Sequence, residues 1–293
     1  AKAIYLRPCW PVSSLLFINM HRYSNRKYIG SGATGYTYSA LDNETKKMVA
    51  LKIVNPANVD GFKREVKNLS QLKHRNIVQM LNRTGSKSIS KVIVLEKMDC
   101  DLFTFLSRHE IDDEQALGIF VAVCKAIQHC HAHKIAHLDI KPENILLSNY
   151  GKCVKLCDFG GSAQWSTEVP LVCETSSTLE YSAPEVLVAE QFAGDKADMW
   201  SLGILLHILY TGNWPFDGKD EEEAMKNLQL GRTKISETVP PNVASLIKKL
   251  LSLNPSNRPY ANETVLYVAS LQNVVRKQRL LEVLPCGCFS FSQ

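Results

Sequence analysis

Three short polar strings in the middle of this 293-residue chain constrain its fold more than any other feature. They are HLDIKPEN at residues 137–144, DFG at residues 158–160 and APE at residues 183–185. A site for phosphoryl transfer needs a carboxylate at the acceptor hydroxyl, oxygen ligands for magnesium and a cation near the transferred phosphate. The first two strings contain all of these groups. DFG alone would be weak evidence, but the ordered combination is strong.

A glycine-rich turn, GSGATG at residues 30–35, lies upstream of these strings. Glycine lets a backbone approach phosphate oxygens because no Cβ lies between them. The same spacing occurs in dinucleotide-binding folds, where a helix follows the turn directly. Here residues 36–39, YTYS, have the pattern of a strand, which argues against a dehydrogenase-type site and favours a turn between two strands.

Together these motifs resemble the eukaryotic protein kinases of serine/threonine type, from about residue 28 to residue 258. The likeness is greatest to the calmodulin-dependent and AMP-activated relatives. The resemblance implies an α+β, two-lobed protein kinase fold, with a small antiparallel β-sheet lobe plus one helix and a larger, mainly α-helical lobe. We expect an N-terminal extension at 1–23, a nucleotide-binding lobe at 24–98, a catalytic and peptide-binding lobe at 99–275 and a tail at 276–293.

Local patterns agree with this division. Phe62, Val66, Leu69 and Leu72 recur at intervals of three and four residues and predict one buried helical stripe. Further on, residues 198–210 are too apolar for a surface helix and predict a helix in the core of the larger lobe.

The resemblance implies roles for five polar side chains in a reaction that uses ATP and Mg²⁺. Lys52, in VALK, would hold the α and β phosphates and pair with Glu65, because a buried lysine is costly without a carboxylate. Asp139 would orient the acceptor hydroxyl, and Lys141 would neutralise charge on the γ-phosphate. Lysine at this position accompanies serine/threonine specificity. Thr178 would bond to both of these catalytic groups.

Asn144 and Asp158 would be the magnesium ligands, since this cation prefers oxygen. Leu95 would lie behind the adenine, Leu146 would pack below it, and the backbone of Glu96 and Met98 would bond to it. Core packing alone would also explain the apolar members of this set. The predicted nucleotide-binding residues are Gly30, Ser31, Gly32, Gly35, Thr37, Ala50, Lys52, Glu65, Leu95, Glu96, Met98 and Leu146.

Four further residues are expected to act as scaffold. His137 and Phe159 would have packing roles rather than chemical ones. Asp198 would accept backbone N–H bonds from the catalytic loop. Arg258 would pair with the glutamate of APE, and such a buried pair is costly to break from one side.

Two positions depart from the family pattern. Thr37 replaces the usual valine above the adenine, so we expect somewhat weaker nucleotide affinity. Leu138 replaces the arginine that binds a phosphate on the activation segment in regulated members. The place usually phosphorylated is taken by Glu174, which is already anionic. The hypothesis is that activity does not require phosphorylation of the activation loop.

Composition and charge argue against nucleic acid as a partner and against a membrane-spanning segment. The net charge of +5 is spread out, without the basic runs typical of nucleic-acid binding. The apolar stretch at 12–20 is too short for a transmembrane segment. Nine cysteines without C-x-x-C spacing are typical of reduced thiols, so we expect an intracellular protein, cytoplasmic or nuclear.

Protein substrates with serine or threonine acceptors are the expected partners, and the oligomeric state stays open. Glu143, Asp101 and the acidic run at 220–223 would favour basic residues near the acceptor. For the acidic run, solvated surface acids are an equal alternative. The rival function is a pseudokinase, a binding scaffold with the same fold. Its usual mark, a missing Lys52, Asp139 or Asp158, is not present here.

Overall fold

The first part of the chain forms a five-stranded antiparallel sheet with strand order β1-β2-β3-β5-β4. The strands are β1 (Tyr23–Gly32), β2 (Gly35–Asp42), β3 (Lys47–Val54), β4 (Met80–Arg83) and β5 (Lys91–Glu96). Helix α1 (Val59–Gln71) lies between β3 and β4 in sequence. The computed structural model describes the chain at residues 21–32, 34–84, 91–165, 171–172, 178–188 and 191–283.

The sequence pattern accounts for the central strand and the helix. The last six residues of β3 are buried, because this strand lies between β2 and β5. On α1, the predicted stripe of Phe62, Val66 and Leu69 is buried against the core. The helix begins where Asn58 caps it, since the Asn58 Oδ1 accepts a hydrogen bond from the Gly61 N–H at 3.2 Å.

The second part of the chain is mainly helical. Its helices are α2 (Leu102–Leu106), α3 (Asp113–Ala132), α4 (Pro184–Val188), α5 (Gly194–Thr211), α6 (Glu221–Gln229), α7 (Pro241–Leu250) and α8 (Ala261–Val283). Its short strands are β6 (Cys100–Asp101), β7 (Ile135–Ala136), β8 (Ile145–Ser148), β9 (Cys153–Leu156), β10 (Ala163–Gln164), β11 (Leu171–Val172) and β12 (Gln191–Phe192). Strand β8 pairs with both β6 and β9, β7 pairs with β10, and β11 pairs with β12.

Helix α5 lies at the centre of this helical part, as its apolar sequence predicts. It packs against α3 and α7, and Trp200, Leu202 and Leu205 have no exposed surface. The helix ends at Thr211 because Gly212 adopts a left-handed backbone conformation with φ of 68°.

The predicted fold class is confirmed: an antiparallel sheet with one long helix precedes a mainly helical part. Strand β1 begins at Tyr23, one residue before the expected lobe boundary, and α8 continues past the expected tail boundary at 276. Residues 1–20 and 284–293 lie outside the described residues. Within the described chain, the helices lack the combination of length and apolar character that crossing a bilayer requires.

A buried ion pair joins α4 to the segment before α8. The Arg258 guanidinium has no exposed surface and donates to both carboxylate oxygens of Glu185, at 2.6 and 2.8 Å. It also donates to the carbonyl oxygens of Ser252 and Lys196, at 2.9 and 2.8 Å. This is the pair that the sequence predicts, and the two carbonyls accept two further hydrogen bonds from the same guanidinium.

Replacing Glu185 with alanine should lower the free energy of unfolding by about 3–5 kcal/mol, because it leaves the buried Arg258 cation without its carboxylate. Chemical denaturation monitored by fluorescence measures this change. The control is Glu222→Ala, which removes an exposed glutamate on α6 and should change the free energy by no more than about 0.5 kcal/mol. Equal changes in the two variants would show that the pair does not stabilise the fold.

Candidate active site

Lys52 of β3 forms the first cluster of predicted site residues. Its Nζ donates to both carboxylate oxygens of Glu65 on α1, at 2.9 and 2.7 Å. It also donates to Asp158 Oδ1 at 2.8 Å. The sequence predicts the pair with Glu65, and the structure adds the contact with Asp158. One buried cation therefore joins the sheet, α1 and the segment after β9.

Burial and the neighbouring opposite charges shift the pKa values of these three side chains in opposite directions. Burial disfavours the Lys52 cation, but Glu65 and Asp158 outweigh it and raise the pKa of Lys52 above its ordinary value. Burial raises the pKa of Glu65 to about 7, although the nearby Lys52 charge opposes the shift. Burial also disfavours the Asp158 anion, but Lys52 lowers the pKa of Asp158 below its ordinary value. The lysine and Asp158 are therefore held in their charged forms.

The glycine-rich turn is the tip of the β1–β2 hairpin. Gly30 pairs with Thr37, Ser31 with Tyr36, and Gly32 with Gly35, so a strand and not a helix follows the turn. Gly35 has a φ of 151°, and a Cβ there would lie 2.0 Å from the carbonyl oxygen of Ile53. Only glycine fits at this position.

The turn also approaches the Lys52 cluster. The Thr34 hydroxyl lies 3.5 Å from Asp158 Oδ2, at the limit of hydrogen-bond distance. The sequence does not predict this contact of Thr34, because nothing in the motif shows which non-glycine residue of the turn reaches the site.

Four of the predicted nucleotide-binding residues lie on one face of the sheet. Thr37 is the register partner of Lys52, and Ala50 is the partner of Leu95. Directly opposite residues of an antiparallel pair lie on the same face, and so do residues two apart on one strand. Thr37, Ala50, Lys52 and Leu95 therefore share a face.

The segment after β5 contains the predicted adenine contacts. The Glu96 N–H donates to the Gln79 carbonyl at 3.1 Å, so of its backbone groups only the carbonyl can serve the base. Lys97 Nζ donates to the Met98 carbonyl. Among the described residues none accepts a hydrogen bond from the Met98 N–H. Leu146 lies half-buried on β8.

The second cluster is centred on Asp139. Lys141 Nζ lies 3.0 and 2.9 Å from the two Asp139 carboxylate oxygens. The Thr178 hydroxyl donates to Asp139 Oδ1 at 2.8 Å and accepts a hydrogen bond from Lys141 Nζ. Asn144 Nδ2 donates to the Asp139 carbonyl and to Oδ2, at 2.7 and 2.8 Å. Four predicted residues therefore form one hydrogen-bonded group.

A buried carboxylate holds the backbone of the loop that contains Asp139. Asp198 on α5 has no exposed surface and accepts hydrogen bonds from the N–H groups of His137 and Leu138, both at 2.8 Å. The Asp198 contact with the loop is the one that the sequence predicts. Its third contact, with His131 Nε2 at 2.8 Å, was not predicted, because the sequence does not show which histidine of α3 faces α5.

Two contacts bring the Asp139 and Lys52 clusters next to each other. The Cys157 N–H donates to the Asn144 carbonyl at 2.9 Å, and a ring nitrogen of His137 contacts the Cys157 carbonyl at 2.9 Å. The His137 ring also packs edge-on against Phe159, with ring centres 4.8 Å apart. Because Asp158 lies between Cys157 and Phe159, these contacts fix it beside Asn144.

Comparison with known proteins gives the same assignment as the motifs. The family model described as protein kinase domain matches residues 23–267. The carbon catabolite-derepressing protein kinase of Saccharomyces cerevisiae is 32% identical over 243 residues, which is 80% of this chain and 38% of that protein. CBL-interacting serine/threonine-protein kinase 15 of Arabidopsis thaliana is 30% identical over 247 residues, 82% of this chain and 58% of that protein.

The chain belongs to the protein kinase family. The predicted protein kinase family is confirmed, and one of the two relatives is named as a serine/threonine-protein kinase. The chain spans 38 to 58% of the length of the two relatives described above. Protein kinases in general use ATP and Mg²⁺.

The residues predicted to hold the metal fit that cation. Asp158 is an anion that directly follows Cys157, whose N–H is bonded to the Asn144 carbonyl, and among the described residues none donates a hydrogen bond to Asn144 Oδ1. Its amide nitrogen is already used by Asp139, so the oxygen is the free end of the side chain. A carboxylate and an amide oxygen are ligands that suit Mg²⁺.

Replacing Thr178 with valine should lower kcat by about 10²-fold, because it removes the hydroxyl that holds Asp139 and Lys141 in one geometry. The KM for ATP should change little, since Thr178 does not contact the Lys52 cluster. Thr178→Ser keeps the hydroxyl and should restore most of the activity. Steady-state kinetics on a peptide substrate measures both variants, and an active valine variant would contradict this positioning role.

Proposed function

We propose that this kinase transfers the γ-phosphate of ATP to serine and threonine hydroxyls of protein substrates, with Mg²⁺. The observation that supports this most is the joining of the two clusters through the Cys157–Asn144 hydrogen bond. With the roles proposed here, this hydrogen bond would bring together a cation, a carboxylate for the acceptor and two oxygen ligands, which is the set that phosphoryl transfer requires.

In the proposed mechanism the residues of the two clusters have different roles. Lys52, fixed by Glu65, binds the α and β phosphates, and the glycine-rich turn covers them. Asp158 and Asn144 would hold the metal, which would supply positive charge against the phosphates. Asp139 accepts a hydrogen bond from the acceptor hydroxyl and orients it for attack. Lys141 stabilises the charge of the transferred group, and Thr178 keeps these two side chains together.

Replacing Asp158 with asparagine should abolish phosphate transfer, because it removes the anion that holds the metal. Incorporation of radiolabelled phosphate from ATP into a mixed peptide substrate measures this. The control is Asp60→Asn, which changes an exposed carboxylate on α1 in the same way and should keep wild-type activity.

The same comparison separates a kinase from a pseudokinase. If wild type and Asp158→Asn give equal signals while both remain folded by circular dichroism, there is no intrinsic transfer, and the alternative of a nucleotide- or partner-binding scaffold would stand.

We also propose that activity does not require phosphorylation of the activation loop. Leu138 is 8% exposed and belongs to the hydrophobic core, so its side chain offers packing and no cation for a phosphate. Glu174 and the neighbouring hydroxyl residues lie outside the described residues. The argument therefore depends on Leu138 and on the residue types in the loop.

The triple variant Thr175→Ala, Ser176→Ala and Ser177→Ala should keep most of the wild-type activity, because no arginine precedes Asp139 to receive a phosphate. Kinetics on one peptide, with wild type treated with phosphatase in parallel, measures this. A fall of about a hundredfold in the triple variant, or in the treated wild type, would show that the loop must be phosphorylated.

For the substrate we propose a preference for basic residues near the acceptor. Glu143 is exposed beside the catalytic loop and can face a cation. Asp101 is less available to a substrate cation, because its carboxylate caps α2. It accepts hydrogen bonds from the Thr104 N–H and hydroxyl, at 2.6 and 2.9 Å. Asp220 likewise caps α6 by accepting from the Glu223 N–H.

The other acids near α6 still support the preference. A cavity of about 510 Å³ lies between this helix and the segment after Thr178. Trp214 and Phe216 form its apolar wall, and Glu180 and Glu221 line it as well. Asp217 also lines it, but its carboxylate pairs with Lys234 at 2.9 Å. Aromatic rings together with carboxylates suit the side chain of arginine or lysine.

A further inference from the structure

A second cavity, of about 500 Å³, lies at the end of α1. It is enclosed by the last turn of α1, the loop that follows it, the beginning of β4 and Lys155 of β9. None of the residues that line it belongs to the predicted catalytic or nucleotide-binding set. Its size is within the range typical of ligand pockets.

The floor of this cavity is apolar. Leu69, Leu72 and Ile77 are buried in the main core, and Met80 is half-buried against it. An apolar group that enters the cavity would therefore remove hydrocarbon surface from water and gain free energy in proportion to the buried area.

The rim is cationic. Lys73 and Arg75 are exposed, and among the described residues no carboxylate pairs with either of them. Lys155 differs, because its Nζ lies 2.9 Å from Glu96 Oε1. The rim therefore has two positive charges that the rest of the described chain does not neutralise.

His74 lies between Lys73 and Arg75 in sequence, and the charges near it are also positive. Its ring stacks on His129 of α3, with ring centres 5.0 Å apart. Burial lowers the pKa of His74, and so do His129 and the charges of Arg75, Lys125 and Lys155. The charged groups that act on this ring are all basic, in agreement with the two unpaired rim cations.

We propose that this cavity, which we call the α1–β4 pocket, binds a phosphorylated segment of a partner protein. The phosphate lies between Lys73 and Arg75, and an apolar side chain next to the phosphorylated residue enters the floor. A phosphate carries close to two negative charges at neutral pH and matches the two free cations. Arginine can also bind it with two parallel hydrogen bonds.

The pocket adjoins the active site without being part of it. Leu69 lies one helical turn after Glu65 on α1. On the opposite wall, the Gln79 N–H donates to Glu96 Oε1 at 2.7 Å. A segment bound here would contact the helix that holds Lys52 in place, and also Gln79, which is hydrogen-bonded to the last residue of β5.

The first test is binding of a fluorescein-labelled peptide in which leucine and phenylalanine flank one phosphoserine, measured by fluorescence anisotropy without ATP. The unphosphorylated peptide, a version with glutamate in place of phosphoserine, and inorganic phosphate as a competitor are the comparison arms. The phosphopeptide should bind about tenfold or more tightly than the other two peptides. Equal binding of all three peptides would overturn the proposal, and so would displacement by inorganic phosphate at the phosphopeptide's own affinity.

The second test locates the bound peptide with matched variants. Lys73→Glu with Arg75→Glu should weaken phosphopeptide binding by about tenfold or more. Lys248→Glu with Lys249→Glu makes the same change of net charge at exposed positions of α7 and should weaken it by no more than about threefold. Equal weakening in both double variants would mean non-specific attraction, and the proposal would fail.

A third measurement does not depend on substitutions in the rim. Among the six methionines of the chain, Met80 lines the pocket, whereas Met48 is exposed on β3. With methyl-labelled methionine, the phosphopeptide should shift the NMR signal of Met80 and leave that of Met48 in place. A titration that moves other methyl signals and not Met80 would place the peptide elsewhere and contradict the proposal.

Discussion

The buried cation of Lys52 is the constraint on which the candidate site depends. A lysine in this position is stable only with anionic partners, because an unpaired buried charge costs several kcal/mol. Its two partners come from different elements: Glu65 from α1 and Asp158 from the segment after β9. The cation therefore fixes the helix against the sheet and draws the second part of the chain towards the first. It follows that the position of α1 and the position of the predicted metal ligand are coupled, because both carboxylates contact the same nitrogen.

A second buried charge, the Asp198 carboxylate, holds the loop that contains Asp139 in place. Leu138 has a φ of 64° and Asp158 a φ of 60°, a left-handed conformation that residues other than glycine rarely adopt. Such residues persist only where the surroundings over-determine them. For Leu138, the hydrogen bond from its N–H to Asp198 and its buried side chain provide this constraint. The backbone strain and the fully buried carboxylate are therefore two parts of one arrangement, which orients Asp139 towards Lys141 and Thr178.

The sequence was sufficient for the fold class, for the family and for the contacts that follow from motif spacing. The Lys52–Glu65 pair, the Arg258–Glu185 pair and the Asp198 contacts with the loop could be predicted because a buried charge needs a partner and the motifs limit the choice. The contact of Lys52 with Asp158 and that of His131 with Asp198 could not be predicted. Each joins residues that are far apart in sequence, and which of several like residues faces the partner is decided by packing. The capping roles of Asp101 and Asp220 were missed for a related reason, since a carboxylate at a helix start satisfies backbone N–H groups before it can serve a substrate.

The leucine at position 138 has a structural consequence that its chemistry alone does not show. An arginine there would bring a cation whose favourable partner is a phosphate elsewhere in the chain, so the geometry of the loop would depend on whether that phosphate is present. Leucine instead buries its side chain in the core, where its contribution comes from apolar contact and is present whether or not the protein is modified. The Asp198 carboxylate, the Thr178 hydroxyl and the Asn144 amide make hydrogen bonds that hold the loop, and none of these bonds needs an added phosphate. Under the proposed function, a phosphate on the activation loop would find no cation beside Asp139, so control of such a kinase would have to act on another element. Helix α1 is the element best placed for this, because it holds the Glu65 carboxylate near its centre and adjoins the α1–β4 pocket at its end.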